Sequence, residues 1–551
     1  MLVATALLAH AAPACVAERP PREPGVITVS AEQQTTWVRN FNPFLQGTRW
    51  PTTAGIHEPL MVWSSTQARY VPWLATAADW DGPRTLRVTL RPGVRWSDGR
   101  PFGPRDVAFT FDLVHRAPGL DQRGVWGFLD RVEVAGPDTV VFHLKRPFVP
   151  GFHGIVGLPM VPEHVWKDVA DPLRFTDPVP VGTGPFTEVV RFENQVYEIG
   201  RNPHYWGGPG RPGLTRLRMP VFPSNDQALL GLLTGDLDWA GNFVPAVDRL
   251  FVDKDPSHNH YWFPLVGNTV FLYLNTAKPP FDDVRLRRAF SQALDRDRIV
   301  DIAMLGTTRP TDGTALSDAF PTFRDPDVAK NAPWLPHDPA AAGAALDAAG
   351  YPLGEDGVRV GPDDAPLSYE LTVVAGWSDW VRAAQLIKRD LEAVGVAVRV
   401  RTLDFSPWFE GLQTGRFDLT IGWSVDGPTP YPFYRGLMSA ETRKPVGESA
   451  AQNWHRFASP EADRLLTAFE SATDPDEQIR LAHALEAEFS ASLPAIPLFP
   501  GPSWAVYSTR HATGFPSPDD PYAPAAPRPA SENLLVLVNL APAAPPEAAP
   551  R

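Results

Sequence analysis

The sequence predicts an α/β protein with mixed sheets and more than one domain. Apolar residues recur at the two-residue spacing of strands in some segments and at the spacing of helices in others. The two kinds of segment alternate along the chain, and we find no internal repeat. At 551 residues the chain is also too long for one hydrophobic core, which indicates two or three domains.

The N-terminal part of the chain begins with a strand and continues with a strand, a turn and a helix. Residues 26–30 have the composition of a first strand, and residues 86–96 (LRVTLRPGVRW) resemble a second. Asp98-Gly99 is a turn signal after that segment. Apolar residues at helical spacing then predict a helix that starts near Arg105.

A βαβ unit is predicted between residues 369 and 400. Residues 369–374 have the apolar bias of a strand, and Ser378 or Asp379 caps a helix with apolar residues at helical spacing. Residues 396–400 alternate as a second strand. Two strands joined by a helix imply a parallel pair with a right-handed crossover.

The C-terminal half continues this alternation of helices and strands. A short helix over 408–414 precedes a strand over 417–423. Proline at the first turn and glycine after the last turn mark several helix boundaries. The longer helices are predicted over 283–294, 338–349, 459–472 and 475–491.

Composition and charge argue against nucleic acid as a partner, and the many tryptophans are expected partly in the core and partly where a ligand binds. The net charge is −13 and no basic stripe is present, which argues against a nucleic-acid partner. Hydrophobic residues make up 43% of the chain and charged residues 21%, as in soluble globular proteins. The 18 tryptophans exceed the usual share, and exposed indole faces are typical of ligand-binding surfaces.

The single cysteine, Cys15, follows a short apolar segment that ends in small residues. This pattern resembles a lipoprotein signal peptide, in which cleavage before the cysteine and lipidation of its thiol tether the protein to a membrane. The alternative is an unmodified thiol. No later run of 18 apolar residues exists, so the sequence predicts no spanning helix.

Four motifs occur in a fixed order over about four hundred residues. They are 91–111 (RPGVRWSDGRPFGPRDVAFTF), 181–207 (VGTGPFTEVVRFENQVYEIGRNPHYWG), 280–300 (PFDDVRLRRAFSQALDRDRIV) and 493–499 (LPAIPLF). Together they resemble the extracytoplasmic solute-binding proteins of ABC importers, family 5, whose members bind peptides, nickel or oligosaccharides. The motifs themselves identify the fold and do not contact the ligand.

This resemblance implies the two-lobed periplasmic-binding-protein fold, with a hinge between the lobes and an extra domain inserted in the first lobe. The implied divisions are 1–15 signal peptide, 16–25 linker, 26–58 first lobe, 59–177 inserted domain, 178–266 first lobe, 270–492 second lobe, 496–540 first lobe and 541–551 disordered tail.

The same resemblance implies a carrier rather than an enzyme. Such a protein captures a short oligomer, either an oligopeptide or an oligosaccharide, in a cleft between the lobes and delivers it to a membrane permease. We expect a monomer without a cofactor, located in the periplasm or on the cell surface and anchored to the membrane only through a lipid. Closure around the ligand would be a hinge motion.

The segment 417–438 (FDLTIGWSVDGPTPYPFYRGLM) is where we expect the ligand. In peptide-binding members of the family an aspartate just after a Gly-Trp strand end pairs with the α-amino group, and Asp426 occupies the matching place after Trp423. The alternative is a loop aspartate in an Asx-turn. The sequence GPTPY at 427–431, which ends in Tyr431 and is followed by Tyr434, is more similar to the oligosaccharide-binding branch, in which aromatic faces stack on sugar rings. Both ligand classes stay open.

Further candidates lie where this fold brings the chain to its cleft. Trp377 and Trp408 follow strand ends, where open α/β sheets bind ligands. Other candidate residues follow the first strand or lie near the crossing between the lobes. Core packing is the competing interpretation for each aromatic residue. The candidate ligand-binding residues are Phe41, Asn42, Trp50, Asn268, Asn275, Trp377, Trp408, Trp423, Asp426, Tyr431 and Tyr434.

Enzyme and metal-carrier functions are the alternatives. The sequence contains no G-x-S-x-G, H-E-x-x-H, G-x-x-x-x-G-K-[ST] or G-x-G-x-x-G motif. A glycoside hydrolase needs two carboxylates across a cleft, and no pair stands out among 63 acidic residues. His258 and His260 could contact a metal, but no third ligand is evident. An extracytoplasmic hydrolase and a nickel or haem carrier therefore remain as alternatives.

Overall fold

Three sheets of more than two strands organise the part of the chain that the structure describes. This computed structural model describes residues 23–31, 33–45, 48–362 and 364–544. Cys15 and the rest of the predicted signal peptide lie outside the described residues. Within them, no helix is both long enough and apolar enough to cross a membrane.

The first lobe is built on a sheet to which seven described strands contribute. The predicted strand Val26–Ser30 is confirmed and lies inside the sheet, parallel to a neighbour on each side. It is buried on both faces, as is usual for a strand between parallel neighbours. In spatial order the strands are Asn259–Tyr261, Val506–Ser508, Trp239–Ala240, Val26–Ser30, Arg216–Pro220, Val196–Arg201 and Phe186–Glu193.

The second lobe is built on a sheet that contains five of the described strands. The predicted βαβ unit is confirmed, because Ser368–Val374 pairs in parallel with Ala397–Leu403 across the helix Ser378–Ala393. The N-cap of this helix is Trp377 rather than Ser378 or Asp379, since both of these are already helical. In spatial order the strands are Ala397–Leu403, Ser368–Val374, Leu419–Trp423, Thr269–Leu274 and Ile496–Pro500.

The inserted domain contains an antiparallel sheet in which the described strands number four. The predicted helix near Arg105 spans Pro104–Arg116 and contacts two of these strands. Asp106 accepts a hydrogen bond of 3.0 Å from the backbone amide of Gly103, which caps this helix. The strands are Ala75–Trp80, Thr85–Leu90, Thr139–Leu144 and Leu129–Val134 in spatial order.

The remaining elements complete the two lobes. Two antiparallel pairs of short strands are Met61–Ser64 with Arg69–Pro72 and Ala512–Thr513 with Ala541–Pro542. The other longer helices are Asn225–Leu233, Val284–Ala293, Pro339–Ala348, Phe405–Thr414, Tyr431–Met438, Pro460–Ser471 and Pro475–Ser492. Shorter helices are Val125–Phe128, Gly151–Val156, Glu163–Trp166, Val247–Leu250, Arg296–Arg298, Pro326–Asn331 and Asn533–Asn539. Short 3₁₀ segments are Pro118–Leu120, Val252–Lys254 and Ala440–Thr442, and π-helical turns are Thr52–Ile56 and Ile299–Ala303.

Each lobe has its own large hydrophobic core, and a smaller third cluster around Phe251 lies in the first lobe. One core joins the sheet of the first lobe to the inserted domain, from Ile27 to Phe142, and the other fills the second lobe around Phe271. Phe148, at the edge of the inserted domain, packs against both cores. The inserted domain is therefore an extension of the first lobe, as the two-lobed fold requires.

Two chain segments cross between the lobes, at residues 262–268 and 501–505. They are bonded to each other, since the amide of Gly501 donates to the carbonyl of Asn268 at 2.8 Å and that of Ser503 to Pro264 at 3.0 Å. A hydrogen-bonded pair of short crossings is suited to act as a hinge.

Two of the predicted divisions need correction. Ile496–Pro500 pairs with Thr269–Leu274 in the second lobe, so the crossing to the first lobe comes after Pro500 and not at residue 496. Ala541–Pro542 pairs with Ala512–Thr513, so the first residues of the predicted disordered tail are ordered by backbone hydrogen bonds. The other domain boundaries stay predictions.

Candidate functional site

A cleft of about 1100 Å³ lies between the two large sheets. Its first-lobe side begins at Ser30, directly after the strand Val26–Ser30. Its second-lobe side contains Trp377 and Trp423, which follow or end two neighbouring parallel strands of the second sheet. The cleft thus lies at the carboxyl ends of strands, where open α/β sheets commonly bind ligands.

The second lobe lines this cleft with aromatic rings, which we call the aromatic wall: Trp377, Phe405, Phe409 and Trp423. All four are half-buried, so part of each ring is accessible from the cleft. The rings of Phe409 and Trp423 are nearly parallel, at 12° and with centroids 6.0 Å apart. Buried Trp408 packs against these rings and holds them in place, because its indole N–H donates to Thr420 Oγ1 at 3.0 Å.

The first lobe faces the aromatic wall with amides, hydroxyls and the guanidinium of Arg49. Gln33, Gln34 and Asn242 line this side, and Gln33 Nε2 donates to Asn225 Oδ1. Trp504, in the crossing at 501–505, adds one half-buried indole ring, held by an edge contact with Phe243 at 5.4 Å. Aromatic faces opposite hydrogen-bond donors and acceptors suit a polar ligand with apolar faces.

The lobes touch at one side of the cleft through Asn225 and Asp379. Asn225 Nδ2 donates to Asp379 Oδ1 at 3.2 Å, and its backbone amide donates to the carbonyl of Gly376 at 3.2 Å. Burial raises the pKa of Asp379 to about 6, although hydrogen bonds from backbone amides and Asn225 act in the opposite direction.

A second chamber of about 520 Å³ adjoins the cleft. Trp423 and Pro529 border both cavities, while Asp426 lines only the chamber. Asp426 Oδ2 lies 3.7 Å from Arg528 Nη1 of the first lobe, and Arg528 Nη2 donates to Glu532 at 2.8 Å. Burial alone would lower the pKa of Arg528, but the charges of Glu532 and Asp426 hold that pKa above its usual value.

Four of the predicted site residues border these cavities. Trp377, Trp423 and Asn268 line the cleft, with Asn268 at the crossing between lobes. Asp426 lines the chamber with 48% of its side chain exposed, beside the guanidinium of Arg528. The structure therefore brings these four together, and they stay candidates for ligand contact.

Two predicted asparagines do not reach the cleft, because their amides serve the fold. Asn42 is fully buried and donates to the carbonyls of Pro172 and Phe175. Asn275 is fully buried and donates to the carbonyls of Gly415 and Phe417. Both stabilise loops, so we leave them out of the proposed site.

Five predicted aromatic residues lie in the hydrophobic cores rather than on the surface of the cleft. Their side chains are at most 5% exposed, and the four that carry a polar atom bond it to protein groups, as described above for Trp408 and Thr420. Trp50 Nε1 donates to Asn533, Tyr431 to Glu470 and Tyr434 to the carbonyl of Thr314. The core interpretation accounts for this placement of Phe41, Trp50, Trp408, Tyr431 and Tyr434.

Several residues that line the cavities were missed by sequence reasoning. Phe405 and Phe409 occupy one face of a helix, and this spacing is the same as that of core residues. Gln33 and Trp504 follow strand ends, which was a usable signal that the sequence analysis applied to other residues. Arg528 lies in a Pro- and Ala-rich stretch without any pattern that marks a site.

The described residues contain no group of three or more His, Cys, Asp or Glu side chains that could hold a metal ion. His258 instead hydrogen bonds to Asp255, at 2.9 Å from its Oδ2, near the surface of the first lobe. His260 contacts the ring of Tyr507 with centroids 5.8 Å apart. The histidine pair therefore has a structural role in this geometry.

Comparison with known proteins identifies a matching family model, related sequences and similar solved structures. A sequence model of the family described as "Bacterial extracellular solute-binding proteins, family 5 Middle" matches residues 69–444. Protein XP55 of Streptomyces lividans is 29% identical over 403 residues, covering 72% of this chain and 69% of XP55.

Two solved structures of binding proteins superpose on nearly the whole chain. The mannohexaose-bound periplasmic oligopeptide-binding protein of an oligopeptide ABC transporter from Thermotoga maritima has a TM-score of 0.87 at 25% identity, covering 95% of this chain and 99% of that one. The oligopeptide-binding protein AppA of Bacillus subtilis, in complex with a nonapeptide, has a TM-score of 0.78 at 20% identity, covering 95% and 100%. The second likeness concerns the fold alone.

Proposed function

Because the chain belongs to family 5 of the bacterial extracellular solute-binding proteins, we propose that it is the substrate-binding component of an ABC importer. It acts outside the cytoplasmic membrane, captures an oligosaccharide in the cleft between its lobes and delivers it to a membrane permease. It does no chemistry on its ligand, which is released unchanged.

The observation that carries this proposal is the aromatic wall facing an amide-rich surface across one large cleft. Indole and phenyl faces stack on the apolar faces of sugar rings, while amides and backbone groups bond to hydroxyls. Trp377 and Trp423 of the second lobe and Trp504 of the crossing at 501–505 border the same space. A cleft of about 1100 Å³ is large enough for an oligomer rather than a single monosaccharide.

The state of Asp426 favours a sugar over a peptide. An aspartate that anchors a peptide's α-amino group needs a free carboxylate, but Asp426 lies 3.7 Å from Arg528. An ammonium group would have to compete with this guanidinium for the carboxylate. The similarity to the mannohexaose-bound protein of Thermotoga maritima points to the same ligand class.

An oligopeptide is the second candidate, for one specific reason. Asp426 keeps 48% of its side chain exposed in a chamber that joins the cleft, and its pair with Arg528 is long enough to rearrange. The similar proteins of Thermotoga maritima and Bacillus subtilis are both named oligopeptide-binding proteins. A peptide amino group could then replace Arg528 as the partner of Asp426.

Closure between the lobes would couple binding to transport. Only the closed form contacts a ligand from the aromatic wall and the amide side together, so a ligand shifts the open–closed equilibrium toward closure. The paired crossings at 262–268 and 501–505 would supply the hinge. The closed form would then dock on the permease, whose partners hydrolyse ATP.

A thermal-shift screen of the mature protein tests the ligand class. The panel holds cello-, xylo- and manno-oligosaccharides beside di- to pentapeptides. A ligand at about 100 times its Kd adds roughly 2.7 kcal/mol, which raises the melting temperature by a few degrees. Shifts with sugars alone support the proposal, while shifts with peptides alone support the second candidate.

The variant Trp377→Ala then tests the aromatic wall. Truncating a ring that stacks on the ligand should weaken binding of the active sugar roughly tenfold or more, as measured by isothermal titration calorimetry. Trp80→Ala is the matched control, because Trp80 is 40% exposed on the inserted domain and lies outside both cavities. Equal affinities for the two variants would refute a role of the aromatic wall in binding.

Anchoring through Cys15 completes the proposal. A lipidated cysteine would keep the protein at the membrane beside its permease. Mass spectrometry of the membrane-associated protein from its native host should show a diacylated N-terminal Cys15. A chain that begins upstream of Cys15 and carries no lipid would refute the anchor and leave the binding function untouched.

A further inference from the structure

The chamber beside the cleft is built by three parts of the chain that are far apart in sequence. The inserted domain contributes Trp63 and Arg123, the second lobe contributes Asp426, and the first lobe contributes Arg528. Trp423 and Pro529 border both the chamber and the cleft. An oligomer lying along the aromatic wall can therefore extend one end into the chamber.

Among the described residues of this chamber, Arg123 is the cation that no carboxylate of the protein pairs with. Its side chain is solvent-accessible, and within the described part of the chain its guanidinium forms no hydrogen bond or ion pair. Gly157 makes room for it, since a Cβ there would lie 3.1 Å from Arg123 Nη1 and 2.8 Å from the carbonyl oxygen of His153. The guanidinium thus lies against the chamber lining, and a residue larger than glycine at position 157 would displace it.

The groups around Arg123 are neutral. His153 hydrogen bonds to the hydroxyl of Tyr70 at 3.1 Å, and burial together with the charge of Arg123 lowers the pKa of His153 to about 3. A neutral imidazole and a neutral phenol cannot balance a guanidinium charge. An anion in the chamber would therefore find one uncompensated cation there.

The two carboxylates of the chamber are already committed to other groups. Glu532 accepts from Arg528 and from the backbone amide and hydroxyl of Ser65, and its side chain is 7% exposed. Asp426 lies beside Arg528 at 3.7 Å. Arg528 therefore balances these acids, which leaves Arg123 as the cation available to a ligand.

We propose that the chamber is a subsite for an acidic group, and that Arg123 of the inserted domain binds the carboxylate at one end of the transported oligomer. The ring of Trp63 would flank the terminal unit. The carboxylate comes from a sugar acid at the end of an oligosaccharide or from the C-terminus of a peptide, which would then run in the direction opposite to a peptide whose amino group pairs with Asp426. The proposal rests on the binding function proposed above and narrows its ligand to oligomers with an acidic end.

Matched ligands that differ in one carboxylate test this subsite. Titration calorimetry compares cellotetraose and mannotetraose with their aldonic acids, and tetraalanine amide with tetraalanine. In the native sequence the acid of the binding class should be about ten- to a hundred-fold tighter than its neutral partner. The sugar arm and the peptide arm show which source supplies the carboxylate.

The variant Arg123→Gln should reduce this acid-to-neutral ratio to about one. Arg87→Gln is the control, because Arg87 is exposed on the inserted sheet, outside the chamber, and loses the same charge. It should keep the ratio of the native sequence, and Arg123→Lys should keep part of it, since a point charge remains without the bidentate geometry.

The outcomes separate this proposal from the one on which it rests. Tight binding of a neutral oligomer with no preference for its acid would overturn the acidic subsite and leave the carrier function standing. An acid preference that survives in Arg123→Gln would overturn the role of Arg123. Binding of neither sugars nor peptides would overturn the proposed function, and the subsite with it.

Discussion

Replacing Arg146 with glutamine should shift this protein toward an open form. Arg146 of the inserted domain forms an ion pair with Glu470 of the second lobe, and Tyr431 donates to the same carboxylate at 2.7 Å. The amide of Val149 donates to the carbonyl of Glu470 at 2.7 Å. Because the inserted domain is carried by the first lobe, hinge opening would break these contacts.

The size of the effect follows from the exposure of the two partners. The side chain of Glu470 is 10% exposed and that of Arg146 is 49% exposed. Exposed ion pairs contribute about 0.2–1 kcal/mol, and the burial of Glu470 puts this pair near the upper end. About 1 kcal/mol corresponds to about a fivefold change in the closed-to-open ratio. The apparent Kd of a ligand that binds the closed form should rise by up to that factor.

Small-angle X-ray scattering of the ligand-free protein measures the first effect, and titration calorimetry measures the second. Arg146→Gln should increase the radius of gyration and weaken binding. Arg464→Gln is the control, since Arg464 pairs with Glu461 at 2.5 Å within one helix of the second lobe. If both variants give the same scattering curve and the same Kd as the native sequence, the contact does not control closure.

Two further predictions concern stability. Gly184→Ala should lower the free energy of unfolding by about 2 kcal/mol or more, because the new Cβ would lie 2.2 Å from the carbonyl oxygen of Gly55. Gly127→Ala is the control. It should change the melting temperature little, since the space around its Cβ is open. Burial raises the pKa of Glu486 from 4.5 to about 8, so the folded state favours its protonated form and loses stability as the pH rises from about 4.5 through 8. Glu486→Gln keeps an acceptor for the amide of Asp325 and should be more stable than the native protein above pH 8, by up to about 5 kcal/mol, with little difference at pH 4.5. Melting curves across this pH range would contradict the reasoning if the variant kept the native slope.

The fold was predictable wherever the pattern is local. The strand Ser368–Val374, the helix Ser378–Ala393 and the strand Ala397–Leu403 each carry their own periodicity, and a parallel pair with a helical crossover follows from their order. The second-lobe strand Ile496–Pro500 was assigned to the wrong lobe, because its partner, Thr269–Leu274, lies more than 200 residues away. Pairing over that distance leaves no mark in a local window.

The candidate site residues also divide into those that sequence order predicted and those whose placement depends on packing. Sequence order alone put Trp377 and Trp423 at strand ends, and both border the cleft. Trp408 is the same type of residue and also follows a strand end, yet it lies beneath the other two rings with 1% of its surface exposed. Which aromatic ring faces the ligand space depends on which side of its helix packs on the sheet, and this is a property of the assembled lobe.

The charges of the site were decided entirely by tertiary structure. The sequence identified Asp426 as a carboxylate near a strand end, but its neighbour Arg528 comes from the other lobe, and Arg123 reaches the same chamber from the inserted domain. By itself, the sequence determined the fold class, the order of its elements and the family. The chamber forms only when three distant segments of the chain meet. Its charges depend on the tertiary structure, because Coulomb interactions and burial depend on distance in space and not along the chain.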